Sequence, residues 1–299
     1  MKRKPKTAIL IINLVLSLGV SSISTARAED ALQVIVSIVP QKYFIEKIGG
    51  DLVNASIMVL PGASPATYEP KPQQMVELTK SRVYFAIGVP FEKVWLKKFA
   101  GLNSKMLIVH TENGIDKIPM KVHHHDDEKG RHHEQHGIKD PHIWLAPPLV
   151  MIQARNILDA LLNVDPANRK TYEDNYKDFV MELVDLDLKI RNVLTGKAEG
   201  TQFMVYHPAW GYFAKYYGLE EIPIELEGKK PKPRELSALI RRARKHEMNM
   251  IFIQPQFSTK NANTVADAIG GQVMFADPLA LDWAKNLLTV AEKFRTALK

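Results

Sequence analysis

One uninterrupted helical pattern, running from Asp165 to Gly196, constrains the fold more than any other feature of the sequence. Asp165 and Pro166 suit the start of a helix, and no further proline or glycine occurs before Gly196. A helix of ~30 residues is roughly 45 Å long, which exceeds an ordinary crossover between neighbouring strands. We therefore expect this helix to connect two lobes; a long surface helix on a single domain is the alternative.

Short apolar runs alternate with helical patterns on both sides of this stretch, which is typical of an α/β architecture with mainly parallel sheets. The candidate strands are 33–38, 56–60, 83–87, 106–109, 202–206, 250–253 and 272–275. We predict two α/β lobes joined by one long rigid connecting helix, with a cleft between the lobes. The N-terminal lobe spans residues 29–163, the connecting helix 164–197 and the C-terminal lobe 198–299.

The first 28 residues have the pattern of a cleavable signal peptide. Basic residues precede an apolar run at 8–20, and an Ala-Arg-Ala cleavage motif ends at Ala28. The run is short for a membrane span. Removing this segment takes away five basic side chains, so the formal charge of +7 becomes about +2 (7 minus 5). The excess of basic over acidic residues in the whole sequence therefore gives no reason to expect a nucleic-acid partner.

The chain contains no cysteine. This excludes disulfides, thiolate metal sites and a lipid-modified cysteine at the cleavage site. Together with the signal peptide, it predicts an exported periplasmic protein that is not a lipoprotein.

Histidines are concentrated between residues 123 and 142. Six of the ten lie within residues 123–136, among four carboxylates, and this composition suits Zn²⁺ and its first-row neighbours. We expect the loop at 121–139 to be an accessory metal collector, with a solvated linker as the alternative. Its histidines are His123, His124, His125, His132, His133 and His136. His142 differs from them, because it precedes an apolar Ile-Trp-Leu run at an ordered edge.

Several polar side chains follow candidate strands directly. His207 follows 202–206, Asp277 follows 272–275, and Gln254 and Gln256 follow 250–253. Ligand sites in open α/β sheets form outside the carboxyl ends of strands. These residues are therefore candidates for one site in the cleft.

Four motifs resemble those of the TroA-like family (cluster A-I), whose zinc-type and manganese-type members are the solute-binding subunits of ABC importers. The motifs are PGASPxxYEP at 61–70, DPHIWL at 140–145, HPxWGYF at 207–213 and DPL at 277–279. They occur in the family's order and span nearly the whole exported chain. The resemblance implies two α/β lobes joined by one rigid helix, with the metal held between them.

The resemblance also implies a ligand set of His142, His207 and Asp277. The family's fourth ligand, a histidine of the first motif, is replaced by Ala66. A water, a histidine of the loop or a nearby side chain could fill its place; the side chains considered are Glu69, Gln41 and Gln256. Two imidazoles with one carboxylate favour Zn²⁺, while Mn²⁺, Co²⁺ and Ni²⁺ stay open.

The function implied is capture of Zn²⁺ and its delivery to an ABC-type permease in the inner membrane, by a monomer that is not an enzyme. The alternatives are a secreted zinc-dependent hydrolase and a metal buffer or adhesin without a transporter. The hydrolase is disfavoured because the sequence has no H-E-x-x-H motif.

Overall fold

The computed structural model describes residues 31–120, 139–225 and 231–298. The predicted signal peptide and the six histidines of the 123–136 stretch lie outside these ranges. None of the helices within them is both long and apolar enough to span a bilayer.

The N-terminal lobe is built on a four-stranded parallel sheet with the order β2-β1-β3-β4. Val34 of the first strand pairs with Ala55 on one side and Val83 on the other. Its strands are β1 (Leu32–Val36), β2 (Val53–Ile57), β3 (Val83–Ala86) and β4 (Leu107–His110). Its helices are α1 (Val39–Gly49), α2 (Pro72–Lys80), α3 (Glu92–Leu102) and α4 (Pro147–Val164).

A single long helix, α5 (Arg169–Leu194), follows α4 after a 3₁₀ turn at Pro166–Asn168. The sequence predicts a helix start at Asp165, but the Asp165 carboxylate instead accepts hydrogen bonds from Asn168 and Tyr172 and closes the turn. The helix has 26 residues, about 39 Å at 1.5 Å per residue. It packs on α1 and α4 of the first lobe and on the last helix of the second. The predicted connecting helix is confirmed.

The C-terminal lobe repeats the same plan, with the parallel order β6-β5-β7-β8. Its strands are β5 (Thr201–Val205), β6 (Leu219–Pro223), β7 (Met250–Ile253) and β8 (Gln272–Phe275). Its helices are α6 (Gly211–Tyr216), α7 (Pro233–Lys245), α8 (Thr259–Ile269) and α9 (Trp283–Ala297). Two parallel sheets flanked by helices confirm the predicted fold class.

Two buried tryptophans fasten the lobes together. The indole nitrogen of Trp144 donates to the carbonyl oxygen of Pro278 at 2.7 Å, and that of Trp283 donates to the carbonyl of Trp144 at 2.8 Å. Trp283 also packs edge-on against Phe44, with ring centroids 4.9 Å apart. Because one apolar core runs through both lobes at this point, their relative position is held by packing as well as by the helix.

The ends of the histidine-rich segment are joined at its base. Pro119 and Lys139 form an isolated antiparallel bridge, and the Asp140 amide donates to the Ile118 carbonyl at 2.9 Å. The chain therefore leaves the N-terminal lobe and returns to it at one point, next to His142.

Candidate metal centre

The sheet order places two of the candidate residues where the strand order reverses. In the C-terminal lobe that point lies between β5 and β7, and His207 and Gln254 follow those two strands. The crevice at such a switch point is the usual ligand site of an open α/β sheet. The amide of Gln254 donates to the His207 carbonyl at 2.7 Å and so ties the two strand ends together.

His142 is oriented by a carboxylate two residues before it. Asp140 Oδ1 lies 2.9 Å from the His142 backbone nitrogen and 2.7 Å from its Nδ1. With the ring proton on Nδ1, Nε2 keeps a free lone pair, which is the arrangement found around metal-binding histidines. The His142 side chain is 12% exposed, so it lies at the edge of the cleft.

His207 meets His142 from the opposite lobe, with ring centroids 5.9 Å apart. Its ring stacks on Phe257 at 5.0 Å and 25°. Its Nδ1 lies 3.4 Å from Glu225 Oε1. The two atoms are not aligned for a hydrogen bond, and among the described residues Nδ1 has no other hydrogen-bond partner.

Asp277 is held by its own loop. Its Oδ1 accepts hydrogen bonds from the Leu279 amide at 2.9 Å and from Gln256 Nε2 at 3.4 Å. In residues 31–120, 139–225 and 231–298, no three His, Asp or Glu side chains lie close enough to hold one metal ion. The structure thus brings His142 and His207 together, and Asp277 does not complete a cluster of three with them.

The residues considered for the fourth ligand occupy different environments. Ala66 and Glu69 are exposed on the loop after β2, and Gln256 is engaged with Asp277.

Gln41 is fully buried. Its amide oxygen accepts two backbone N–H groups, of Ser37 and Ile38, and its amide nitrogen donates to Phe85 and Thr111. Gln41 therefore fixes the strand ends of the first lobe and is not available to a metal in this arrangement.

Tyr212 supports Asp140 from the second lobe. The Tyr212 hydroxyl donates to the Asp140 carbonyl at 3.0 Å and accepts from the Ile118 amide at 3.1 Å. Burial raises the pKa of Tyr212, so its hydroxyl stays protonated as this geometry requires. A helix that begins just after His207 thereby holds the residue that orients His142.

Gly211 leaves room for the same carboxylate. A β-carbon at this position would lie 2.8 Å from Asp140 Oδ2. We expect Gly211→Ala to push the Asp140 carboxylate away from His142 and to weaken zinc binding by roughly 10–100-fold, as other losses of a ligand's orienting partner do. Competition against a chelator of known zinc affinity measures the effect. Gly101→Ala is the control, because this helical glycine has nothing within 4 Å of the added methyl group; equal affinity for both variants would contradict the role given to Asp140.

Glu92 holds the loop that follows β3. Its carboxylate accepts hydrogen bonds from the Ile87 amide at 3.0 Å, the Gly88 amide at 2.7 Å and the Ser37 hydroxyl. Burial raises the pKa of Glu92 from about 4.5 to about 7, although these hydrogen bonds act in the opposite direction. The same loop supports the segment bearing Ala66, because the Phe91 amide donates to the Pro65 carbonyl at 3.2 Å.

This burial predicts a stability that falls as pH rises from about 4.5 to about 7. The folded state binds the Glu92 proton more tightly than the unfolded state does, so raising the pH through this window penalises folding by on the order of 3 kcal/mol. Glu92→Gln should reduce this pH dependence in urea unfolding, whereas Glu77→Gln, at an exposed position on α2, should leave it as in the wild type. Identical pH profiles for wild type and Glu92→Gln would contradict the assignment.

The supporting roles of four residues were not predicted from the sequence, although three of them stand in the family motifs: Asp140, Gly211, Tyr212 and, outside the motifs, Glu225. Asp140 had a usable signal, since an Asp two residues before a histidine can reach both its backbone and its ring. Glu225 follows β6, a strand that lies beside β5, but β6 contains no apolar run that would reveal it.

Comparisons with known proteins identify the family and agree with the fold. Residues 34–297 match the family described as "ZnuA: Zinc-uptake complex component A periplasmic". The high-affinity zinc uptake system protein ZnuA of Bacillus subtilis (strain 168) is 29% identical over 248 residues, which cover 81% of this chain and 77% of that protein. A crystal structure of ZnuA superposes with a TM-score of 0.82 at 42% identity, covering 90% of this chain and 99% of that one. A ZnuA deletion mutant lacking 138–173, with zinc bound, gives the same values.

Proposed function

We propose that this chain, which belongs to the ZnuA family of periplasmic zinc-uptake components, binds Zn²⁺ between its lobes and delivers it to an ABC importer in the inner membrane. The observation that carries the proposal is the pairing of His142 and His207 from opposite lobes, 5.9 Å apart between ring centroids. Two imidazoles bound to one tetrahedral zinc at 2.0–2.1 Å have centroids roughly 5–6 Å apart. The pair is therefore already spaced for a shared ion.

We assign Asp277 as the third ligand. It follows β8 at the same sheet edge as His207. The loop that follows β7 contacts both residues, since Gln254 binds the His207 carbonyl and Gln256 binds the Asp277 carboxylate. A small rearrangement of this loop would release the carboxylate toward the metal. A water or a nearby side chain then completes the tetrahedron in the place that Ala66 leaves open.

A site with three protein ligands suits a cargo metal. Structural zinc sites use four protein ligands, whereas an open position allows ligand exchange. Because α5 packs on both lobes and the tryptophans fasten them together, release depends on small shifts of loops and side chains. Zn²⁺ fits the two imidazoles best, and Co²⁺, Ni²⁺ and Mn²⁺ are the competitors to compare.

The protein acts, in this proposal, as an exported monomer without a lipid anchor and without enzymatic activity. Deleting its gene in the source bacterium should stop growth in medium containing a zinc chelator, and added zinc should restore growth. A copy carrying His142→Ala and His207→Ala should not complement the deletion. Rescue by manganese alone would overturn zinc as the cargo, and zinc-dependent hydrolysis of peptide or ester substrates by the purified protein would favour an enzyme.

The open position that we infer at Ala66 can be tested directly. Ala66 is exposed, so a larger side chain fits there without displacing the core. Ala66→His should tighten zinc binding by at least tenfold, because a fourth protein ligand replaces an exchangeable group. Chelator competition measures the affinity, with Thr67→His, at the adjacent exposed position, as the control. Unchanged affinity in a folded Ala66→His variant would show that another group already occupies the fourth position.

A further inference from the structure

Positive charge is concentrated on and next to α7. Residues 232–245 include six Lys or Arg side chains and one carboxylate, Glu235. The exported chain as a whole has a formal charge of only about +2 (7 minus 5) once residues 1–28 are removed. This local excess is therefore a property of one surface and not of the whole protein.

The apolar face of α7 is already occupied. Leu239 and Ala243 are 3% and 0% exposed and pack in the core of the C-terminal lobe with Ile251, and Leu236 covers its edge. Leu236 and Ile240 are half-buried, so α7 has no fully exposed large apolar side chain with which to enter a membrane or a groove. Arg242 is also turned toward the protein, where it contacts Glu220 at 3.3 Å.

The opposite side of α7 faces solvent with positive charge. Arg241 and Lys245, four residues apart, are exposed. Arg234 lies on the same stripe, because at 3.6 residues per turn the three side chains fall within about 40° of one another around the helix axis. We call the exposed cations of this surface the α7 basic face; it comprises Lys232, Arg234, Arg241, Arg244 and Lys245.

The α7 basic face lacks the features of a protein interface. Such interfaces are centred on aromatic or aliphatic anchors. The exposed large hydrophobic side chains of the described ranges lie elsewhere, between residues 76 and 102, on α5, and at Phe275 and Leu281. A regularly charged surface without an apolar centre is suited to anionic lipid headgroups, which bind basic segments by charge alone.

We propose that the α7 basic face adsorbs to the anionic phospholipid surface of the membrane, electrostatically and without insertion. Each Lys or Arg near such a surface strengthens binding roughly fivefold. Adsorption would hold the protein at the bilayer that contains its importer and shorten the search for it. The inference concerns a surface of the C-terminal lobe other than the cleft, so it does not depend on the metal ligands.

Vesicle sedimentation tests the proposal with the exported protein. Wild type should bind vesicles containing phosphatidylglycerol and should lose this binding as the salt concentration is raised. It should not bind vesicles of phosphatidylcholine alone. Arg241→Gln with Lys245→Gln should weaken binding roughly 25-fold, since two cations are removed. Zinc affinity and the unfolding transition should be unchanged, because both side chains are exposed and distant in the fold from the cleft.

The control is Lys93→Gln with Lys97→Gln on α3. This pair is also exposed, has the same four-residue spacing and lowers the net charge equally. It should bind phosphatidylglycerol vesicles within twofold of wild type. Equal losses for the two double variants would show that net charge alone acts, and failure of wild type to bind the anionic vesicles would overturn the proposal. If the α7 variant then impaired zinc uptake in cells without any lipid binding, the partner would be an acidic protein surface.

Discussion

Replacing His207 with alanine is expected to weaken zinc binding by more than about 100-fold, since loss of a ligand should exceed the loss of a ligand's orienting partner. His207 is one of the two imidazoles that meet across the cleft. The fold should persist, because the ring lies at the cleft surface and is 22% exposed. Competition with a chromophoric chelator gives the affinity, and the urea unfolding curve checks the fold.

His110→Ala is the matched control. His110 ends β4, and its side chain is 46% exposed and contacts Glu112 at 3.1 Å. Its removal also lowers the histidine count by one but should leave the tight zinc affinity within twofold of wild type. A loss of less than tenfold in His207→Ala would exclude His207 as a ligand and leave the cleft without its second imidazole.

Trp144→Ala is expected to lower the free energy of unfolding by roughly 3–5 kcal/mol, the range for a large aromatic side chain removed from a core. Trp144 is 1% exposed, and its indole satisfies the Pro278 carbonyl next to Asp277. The substitution therefore creates a cavity between the lobes and leaves a buried acceptor unpaired. Denaturant unfolding followed by circular dichroism measures the loss.

Two further variants separate packing from hydrogen bonding. Trp144→Phe keeps most of the buried volume but removes the donor, so it should cost roughly 1–3 kcal/mol. Trp95→Ala removes a half-buried surface tryptophan, whose ring is covered by Lys98 at 4.0 Å, and should cost less than Trp144→Ala. If Trp144→Ala and Trp95→Ala were equally destabilising, the junction would not be held by Trp144.

The fold could be predicted where local pattern and tertiary structure agree. The connecting helix followed from an uninterrupted run whose apolar positions, including Phe179, Leu183 and Ile190, are buried in the structure. β6 could not be found this way, because Glu220 and Glu221 interrupt its apolar pattern. Glu221 is 1% exposed and accepts hydrogen bonds from the amides of residues 209 and 210, a tertiary role that no local pattern reveals.

The candidate site was only partly accessible from sequence. His142 and His207 were identified by family motifs and by their positions next to ordered elements, but the 64 residues between them hide their proximity. Gln41 shows the opposite problem. The sequence left it open as a fourth ligand, whereas in the structure its side-chain amide is hydrogen-bonded to the backbone of the first lobe. Contacts made across the cleft, such as Tyr212 with Asp140, depend on how the lobes pack.

The joined base of the histidine-rich segment has a consequence for how freely that segment can vary. Its two stems are closed by the Pro119–Lys139 bridge and by the Tyr212 hydroxyl, which bonds to both Ile118 and Asp140. Insertions or deletions within 121–138 therefore leave the two ends of the segment in the same place. In general, each doubling of the length of a closed loop adds only about 0.6 kcal/mol of closure entropy. Natural variants that lengthen, shorten or rewrite this stretch should therefore leave His142 in its position, so the segment can change without altering the candidate metal centre.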